Sequence, residues 1–445
     1  MRDLGGKNIL VLGMADSGSA AVEFMVERGA RVTACDKKPL KDLGPLGGKL
    51  SALGVPFVEQ SETSMTGRDL VVVSPGVPWD RPELRAARAA GVETVGDVEM
   101  ASWFLKGPIA AITGSVGKTT TTTLVGRMLD RSRVPCQVGG NIGRPVSEMV
   151  ATSRPDQWNV LEISSFQLEA SKTFHVSIGL ALNLTDNHLD RHHTMPEYAA
   201  AKGKLFATQT AQDTAVLNAD NEWTRAYADS TPAAKVWFSV AHPLASGWWL
   251  DEGRLVANGK PFLNLDEIRV RGRHNYANIL AAAAVSHLAG ASFEAIAQVA
   301  REFRGVEHRL EYVRTISGVD YFNDSKATTV ESVLAALDSF EGGLWVILGG
   351  KDKGSDFRPL REPLRAKAKG IFLIGTASEK IASQVELPAE PCGVLDKAVR
   401  QAASRATPGD VVLLAPACTS WDQYNNFEER GRHFKDLVAR LEASA

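Results

Sequence analysis

Residues 107–123 read GPIAAITGSVGKTTTTT, and no other stretch restricts the fold as tightly. Residues 108–113 are a short apolar run of the buried-strand kind, and Gly114, Ser115, Val116 and Gly117 form a turn that opens onto Lys118, Thr119 and Thr120. A strand, a glycine turn and a helix start together make a phosphate cradle. Glycines let backbone N–H groups face anionic oxygens, the helix N-terminus adds partial positive charge, Lys118 supplies a full charge, and the Thr119 hydroxyl can ligate a divalent cation. Ile112 stands where the strict P-loop pattern has its first glycine, so the motif is the shortened TGSVGKT. An ordinary helix start that happens to carry lysine and threonine is the alternative, and the strand before it and the helix after it favour phosphate binding.

At 445 residues the chain exceeds one ordinary core and requires two or three domains. With 50 basic against 52 acidic residues, the net charge of −2 calls for neither a nucleic acid nor a membrane surface as partner. Cys35, Cys136, Cys392 and Cys418 are scattered without metal-ligand spacing, as free thiols of a reducing compartment are. No apolar run reaches membrane-spanning length and the N-terminus leads directly into a strand, so the cytoplasm is the expected location.

In chain order, residues 8–13 (NILVLG), a helical stretch 20–28 and residues 31–36 (RVTACD) open a Rossmann-like unit. Its turn, residues 13–18, carries Ala15 at the second glycine position, while Asp36 has the spacing of a ribose-binding acid. A strand at 69–74 and a helix at 83–90 continue the pattern. Beyond the phosphate loop, a helix at 120–130 and strands at 158–163, 176–184 and 214–217 imply a parallel sheet. Glu162 lies inside an apolar strand, where a carboxylate needs a buried partner or a cation; beside a phosphate loop the cation is favoured. His188 stands out from the cluster 186–193 because it follows the strand 176–184 most closely, and the turn at Asn141 is a third polar group near a strand end. Residues 237–261 read as a hairpin insertion. Asn275 and Asn278 could cap the helix 279–289 or face a base. Strands at 321–326, 344–350, 370–375 and 410–415 form a further α/β section, with Asp324, Lys326, Thr328, Lys351 and Lys353 just past strand ends.

The motifs TGSVGKTT, GNIG, LEISSFQLE, LTDNHLDRH with Lys202 downstream, GRHNYAN, EHRLE, NDSKATT and LLAPACTSWDQYNNFEERG occur in the order seen in the Mur ligases. The chain resembles that family over almost its whole length, most of all the members that add D-glutamate to UDP-N-acetylmuramoyl-L-alanine in peptidoglycan synthesis. The resemblance implies an ATP-dependent acid–amino-acid ligase. In it the muramoyl-alanine carboxylate attacks the γ-phosphate, and the D-glutamate amine then displaces phosphate from the acyl-phosphate. It implies three α/β domains: a Rossmann-like UDP-substrate domain (residues 1–96), a central P-loop ATPase-like parallel sheet with a small β insertion (97–305), and a Rossmann-like domain (306–445) that brings the amino acid, completes the ATP site and closes on it.

By the same resemblance Lys118 contacts the ATP phosphates, Thr119 and Glu162 hold one Mg²⁺, and His188 with a carbamylated Lys202 holds a second. Asn141 lies near the reacting carboxylate. Asn278, Arg309 and Asp324 serve the base, phosphates and ribose of ATP, and Lys326 sits at the reaction centre. Thr328, Lys353, Ser420 and Phe427 are implied to hold D-glutamate, Asp16, Ser17, Lys37 and Lys38 to grip the uridine diphosphate, and Ser74, Ser164, His188 and Trp421 to bind substrate. A monomer acting on small molecules is expected. A sister ligase for another amino acid, a nucleotide switch and a dehydrogenase are the rival readings; the switch is disfavoured by the retained Lys118, Glu162, His188, Lys202 and Lys326, and the dehydrogenase by the imperfect first-domain turn and the lack of an evident hydride-transfer site.

Overall fold

The computed structural model describes residues 2–61, 64–270, 272–352 and 354–442. It divides into two compact units, the first running to Ile268 together with Asn275–Arg301, the second comprising Arg269–His274 and the chain from Glu302 onward.

Five apolar segments, β1 (Asn8–Leu12), β2 (Arg31–Asp36), β3 (Phe57–Glu59), β4 (Leu70–Val73) and β5 (Glu93–Gly96), pair in parallel in the order β3-β2-β1-β4-β5. The order reverses between β1 and β4, so the carboxyl ends of these strands flank the crevice where open α/β sheets bind ligands. Gly13 and Ser74 follow those two ends, and Ser74 Oγ donates to the Gly13 carbonyl at 2.7 Å. The helix Asp16–Val26 starts four residues earlier than its periodicity indicates, because Gly18 lets its first turn press onto the loop. A Cβ at Gly18 would lie 1.9 Å from the Gly13 carbonyl oxygen, a backbone atom that cannot yield. Gly18→Ala is therefore expected to cost about 2–3 kcal/mol or more by overpacking, read as a lower urea midpoint, and to weaken binding at this crevice.

The second sheet of the first unit holds β6 (Ile109–Thr113), β7 (Cys136–Gly140), β8 (Trp158–Glu162), β9 (Ile178–Ala181), β10 (Thr214–Asn218), β11 (Ala234–Ser239), β12 (Trp248–Asp251), β13 (Arg254–Ala257) and β14 (Lys260–Asn264). The order is β14-β13-β12-β11-β10-β9-β6-β8-β7, parallel from β7 to β12 and antiparallel through the last three. The hairpin read at 237–261 thus extends the central sheet, since β11 pairs in parallel with β10. The strand expected at 176–184 is only Ile178–Ala181. Past it the chain leaves the sheet, and the Asn183 amide brackets the phosphate loop, accepting from Val116 N at 2.9 Å and donating to Val116 O at 3.0 Å.

One apolar cluster containing Val11, Phe24, Phe104, Phe174 and Leu184 runs through both sheets' surroundings. Glu99, 1% exposed, adds a polar clasp by accepting from the N–H groups of Lys172, Thr173 and Phe174 at 3.0, 2.9 and 2.9 Å. A buried carboxylate is tolerable there because backbone donors surround it.

The second unit is built on β15 (Glu311–Ile316), β16 (Val319–Asn323), β17 (Leu344–Gly349), β18 (Ala368–Ile374), β19 (Glu390–Gly393) and β20 (Val411–Leu414), in the order β15-β16-β20-β17-β18-β19. Only β15 is antiparallel. Alternate residues of β17 enter two separate cores, Val346 and Leu348 in one and Ile347 in the other, as a sheet covered on both faces requires.

Candidate functional site

The phosphate loop leaves β6 at Gly114 and reaches the helix Lys118–Arg131 through Gly117, whose φ of 90° favours glycine. The loop is held from behind. Ser115 N donates to Asn183 O at 2.9 Å, and Ser115 Oγ lies 3.0 Å from the Tyr198 hydroxyl. Lys118 Nζ donates to the carbonyls of Gly114 and Ser115 at 2.9 and 3.0 Å, so its ammonium lies over the loop. Thr119 and Thr120 are buried at the first helical turn, whose amides have no carbonyl a turn behind them to bond. Asn278 is not a cap: it lies inside the helix Arg273–Leu288, buried, with its side chain so close to Gly117 that a Cβ there would meet Asn278 Oδ1 at 2.3 Å. Asn275 is inside the same helix.

Glu162 ends β8, next to β6, and is 2% exposed. Its Oε1 accepts from Asn141 Nδ2 at 2.9 Å, while Oε2 is buried with no hydrogen-bond partner among the described residues. The Asn141 N–H also donates to Glu162 O at 2.8 Å, so the turn after β7 is tied to β8 twice. A buried, half-satisfied carboxylate beside a phosphate loop fits a hard cation, which would supply the missing partner. Among the described residues no group of three His, Cys, Asp or Glu side chains gathers, so any metal here depends on hydroxyl and phosphate oxygens as well.

Lys202 lies on the helix Met195–Gly203 at 1% exposure. Its Nζ donates to Gly114 O at 2.9 Å and sits 4.8 Å from the centre of the Tyr198 ring. Burial, helped by the Lys118 charge and opposed by Glu162, holds its amine well below the ordinary lysine value. His188 is exposed and starts the short helix Leu189–His192 with a left-handed φ of 56°, its ring against Phe166 at 4.8 Å. Ser164 caps the helix Ser165–Glu169: its Oγ accepts from Gln167 N, and Gln167 Oε1 accepts from Ser164 N, so this hydroxyl serves the helix.

At the first sheet, Asp36 accepts from Met14 N at 2.7 Å and from Lys38 N at 2.9 Å, which shapes both loops of the crevice. Asp16, Lys37 and Lys38 are exposed there. Ser17 bonds the carboxyl of Asp97, whose pKa burial pushes up to about 6.

In the second unit, Asp324 follows β16 and is 5% exposed; burial pushes its pKa up to about 7, against the pull of Arg309 and Lys326. Lys326 N donates to His308 O at 3.0 Å, and its ammonium lies 5.7 Å from the centre of the Phe427 ring. Arg309 sits between two left-handed residues, His308 and Leu310. Ser420 Oγ is buried without a partner among the described residues, Thr328 is half-buried, and Trp421 is 60% exposed. Lys353 lies outside the described residues.

Four contributors escaped the sequence reading. Tyr198 is four residues before Lys202 and so shares its helix face, a spacing that could have revealed it. Asn183 carried no signal. Arg191 was hidden among charges of the 186–193 cluster. Arg430, 1% exposed, reaches the carbonyls of Ser325 and Cys418 at 2.9 and 3.1 Å and thereby ties the loops after β16 and β20 to the last helix.

Residues 7–96 match the MurD-like N-terminal domain of Mur ligases, residues 112–286 the Mur ligase middle domain, and residues 308–418 the Mur ligase glutamate ligase domain. A UDP-N-acetylmuramoylalanine–D-glutamate ligase of Solibacter usitatus is 54% identical over 441 residues, 99% of each chain. One of the same name from Acidobacterium capsulatum is 47% identical over 98% of this chain and 97% of its own. Among solved structures, the UDP-N-acetylmuramate-alanine ligase of Thermotoga maritima aligns over 99% of this chain and all of its own with a TM-score of 0.59 at 20% identity, a likeness of fold. From the three matched domains and these end-to-end relatives, the chain belongs to the Mur ligase family.

Proposed function

We propose that this protein joins D-glutamate to UDP-N-acetylmuramoyl-L-alanine at the expense of ATP, in the synthesis of peptidoglycan precursors. The observation that carries the reading is the end-to-end match to relatives named for that ligation. Its domains divide the work as residues 1–96 for the uridine nucleotide, 97–305 for ATP and 306–445 for the amino acid, a monomer of cytoplasmic location acting on small molecules. The four free cysteines accord with a reducing compartment.

Thr119, Glu162, His188 and Lys202 would hold Mg²⁺, with the orphaned Glu162 oxygen as the best-supported ligand. When bound, the ion supplies charge neutralisation to the ATP phosphates. Lys118 exchanges its two loop carbonyls for phosphate oxygens, and the loop amides, fixed by Asn183 and Tyr198, orient the γ-phosphate. Burial lowers the proton affinity of the Lys202 amine; unprotonated, it would add to carbon dioxide and lose a proton to give a carbamate, an anionic oxygen ligand. Asn141 steers the muramoyl-alanine carboxylate, whose oxygen attacks the γ-phosphate as ADP leaves. Lys326 sits at the reaction centre, and Thr328, Lys353 and the Ser420 hydroxyl, which is buried without a partner among the described residues, take the D-glutamate together with Phe427 and Trp421. Asn278, Arg309 and Asp324 hold ATP, Asp16, Ser17, Lys37 and Lys38 grip the uridine nucleotide, and Ser74 lines the substrate side, whereas Ser164 keeps its capping role in the helix Ser165–Glu169.

An acyl-phosphate requires that one carboxylate oxygen of the substrate leaves with the phosphate. Substrate labelled with ¹⁸O in its alanyl carboxylate is expected to give phosphate carrying one ¹⁸O, read by mass spectrometry. Unlabelled phosphate would reject this chemistry.

A further inference from the structure

Arg191 stands three residues after His188 and serves two masters at once. Its Nε and Nη2 donate to Glu169 Oε2 at 3.2 and 2.6 Å, and the same Nη2 donates to the Val77 carbonyl at 2.9 Å. Val77 closes a tight turn, with its N–H on Ser74 O at 3.0 Å, and it packs on the first crevice loop so closely that a Cβ at Gly13 would meet Val77 Cγ2 at 2.7 Å. One guanidinium therefore bonds both the uridine-nucleotide side at Val77 and Glu169 at the end of the helix Ser165–Glu169, and it is carried by the helix that follows His188.

That helix needs an external hold. Four residues make barely one turn, and His188 is in a left-handed conformation that costs a histidine free energy unless its surroundings impose it. The imposition comes from Glu169. Its Oε1 lies 3.1 Å from His192 Nδ1, while His192 Nε2 bonds Ser165 Oγ at 2.9 Å. Phe166 fills the space between, with Arg191 4.8 Å above its ring and the His188 ring 4.8 Å from it, edge to face. The Arg191 and Glu169 side chains are 12% and 14% exposed, so neither can lose the other and be rescued fully by water.

We propose that Arg191 is a positioning residue that couples seating of the uridine-nucleotide substrate against the turn 74–77 to the placement of His188 in the ATP site. The inference rests on the function proposed above. Binding that shifts the turn moves the Val77 carbonyl, and the shared guanidinium passes that shift to the helix 189–192. Lysine at this position keeps the charge but cannot fork between a carboxylate and a carbonyl.

The test uses the full chain with Arg191→Lys, Glu169→Gln, His188→Ala and the double variant Arg191→Lys/His188→Ala. Arg191→Lys is expected to lower kcat at least about tenfold, as a misplaced reacting group does, with the KM for ATP and the melting temperature unchanged. The double variant is expected to be no slower than His188→Ala alone, because a residue that acts through another adds nothing once that other is gone. Glu169→Gln, which removes the charge that holds the Arg191 guanidinium, repeats the readout should Arg191→Lys fold poorly. Losses that add in the double variant, or a lowered melting temperature with kcat intact, would overturn the proposal. A wild-type chain that forms no product with D-glutamate would reject the functional reading instead. The same cycle read as calorimetric affinity for UDP-N-acetylmuramoyl-L-alanine then judges Arg191 separately: non-additive losses support the coupling and additive ones refute it.

Discussion

Glu162→Gln is expected to lower kcat by about 10²–10³-fold while leaving the protein as stable as before or more so. The two effects have opposite sign because the carboxylate is kept for charge, at a cost to folding. Glu162 is 2% exposed, one oxygen is satisfied by Asn141 and the other has no partner among the described residues. An unmatched buried anion weakens the fold, so its neutral isostere should gain about 1 kcal/mol. The same exchange removes the charge that would face a divalent cation next to the ATP phosphates. Urea unfolding of the apo protein and single-turnover phosphate release measure the two quantities. A variant that is both active and less stable would mean that Glu162 is a structural carboxylate.

Lys202→Met is expected to be the second large loss, about 10³-fold in kcat, with a pH signature in stability. The buried amine titrates well below 10.5 in the folded protein, mainly through burial. Between that lowered value and 10.5 the unfolded chain binds a proton that the folded one does not, so wild-type stability rises with pH across this window. Below the window the penalty is constant. Methionine removes the titration, and the variant should lack that rise, which amounts to at most about 1.4 kcal/mol per pH unit. In carbon dioxide–free buffer the comparison isolates the amine. With ¹³C-bicarbonate, the wild type is expected to show a carbamate resonance that Lys202→Met lacks. Identical pH slopes for the two proteins would contradict a lysine whose proton affinity burial lowers.

The sequence announced those parts of the fold whose cause is local. TGSVGKT dictates a strand, turn and helix, and they stand at β6 and Lys118–Arg131. Glu162 could be singled out because a carboxylate inside WNVLEI conflicts with its neighbours. Properties created by distant contacts were not legible. Nothing near Lys202 in sequence shows that it is buried against Gly114 and Tyr198. The strand at Ile178–Ala181 is shorter than its apolar run because Asn183 is drawn to Val116 from outside the sheet. The strands β3, β5, β7, β15 and β19 were missed; β3, for example, is three residues whose register with β2 only the folded sheet supplies. Asp36 looked like a ribose ligand by spacing, yet its two oxygens meet the backbone of Met14 and Lys38.

The most direct test of the central claim is phosphate release by the purified chain with ATP, Mg²⁺ and UDP-N-acetylmuramoyl-L-alanine. The arms supply D-glutamate, L-glutamate, diaminopimelate, L-lysine or no amino acid. Release that depends on D-glutamate, with the corresponding product mass, is the expected result. Release driven by another of these amino acids, or none with D-glutamate, would contradict it.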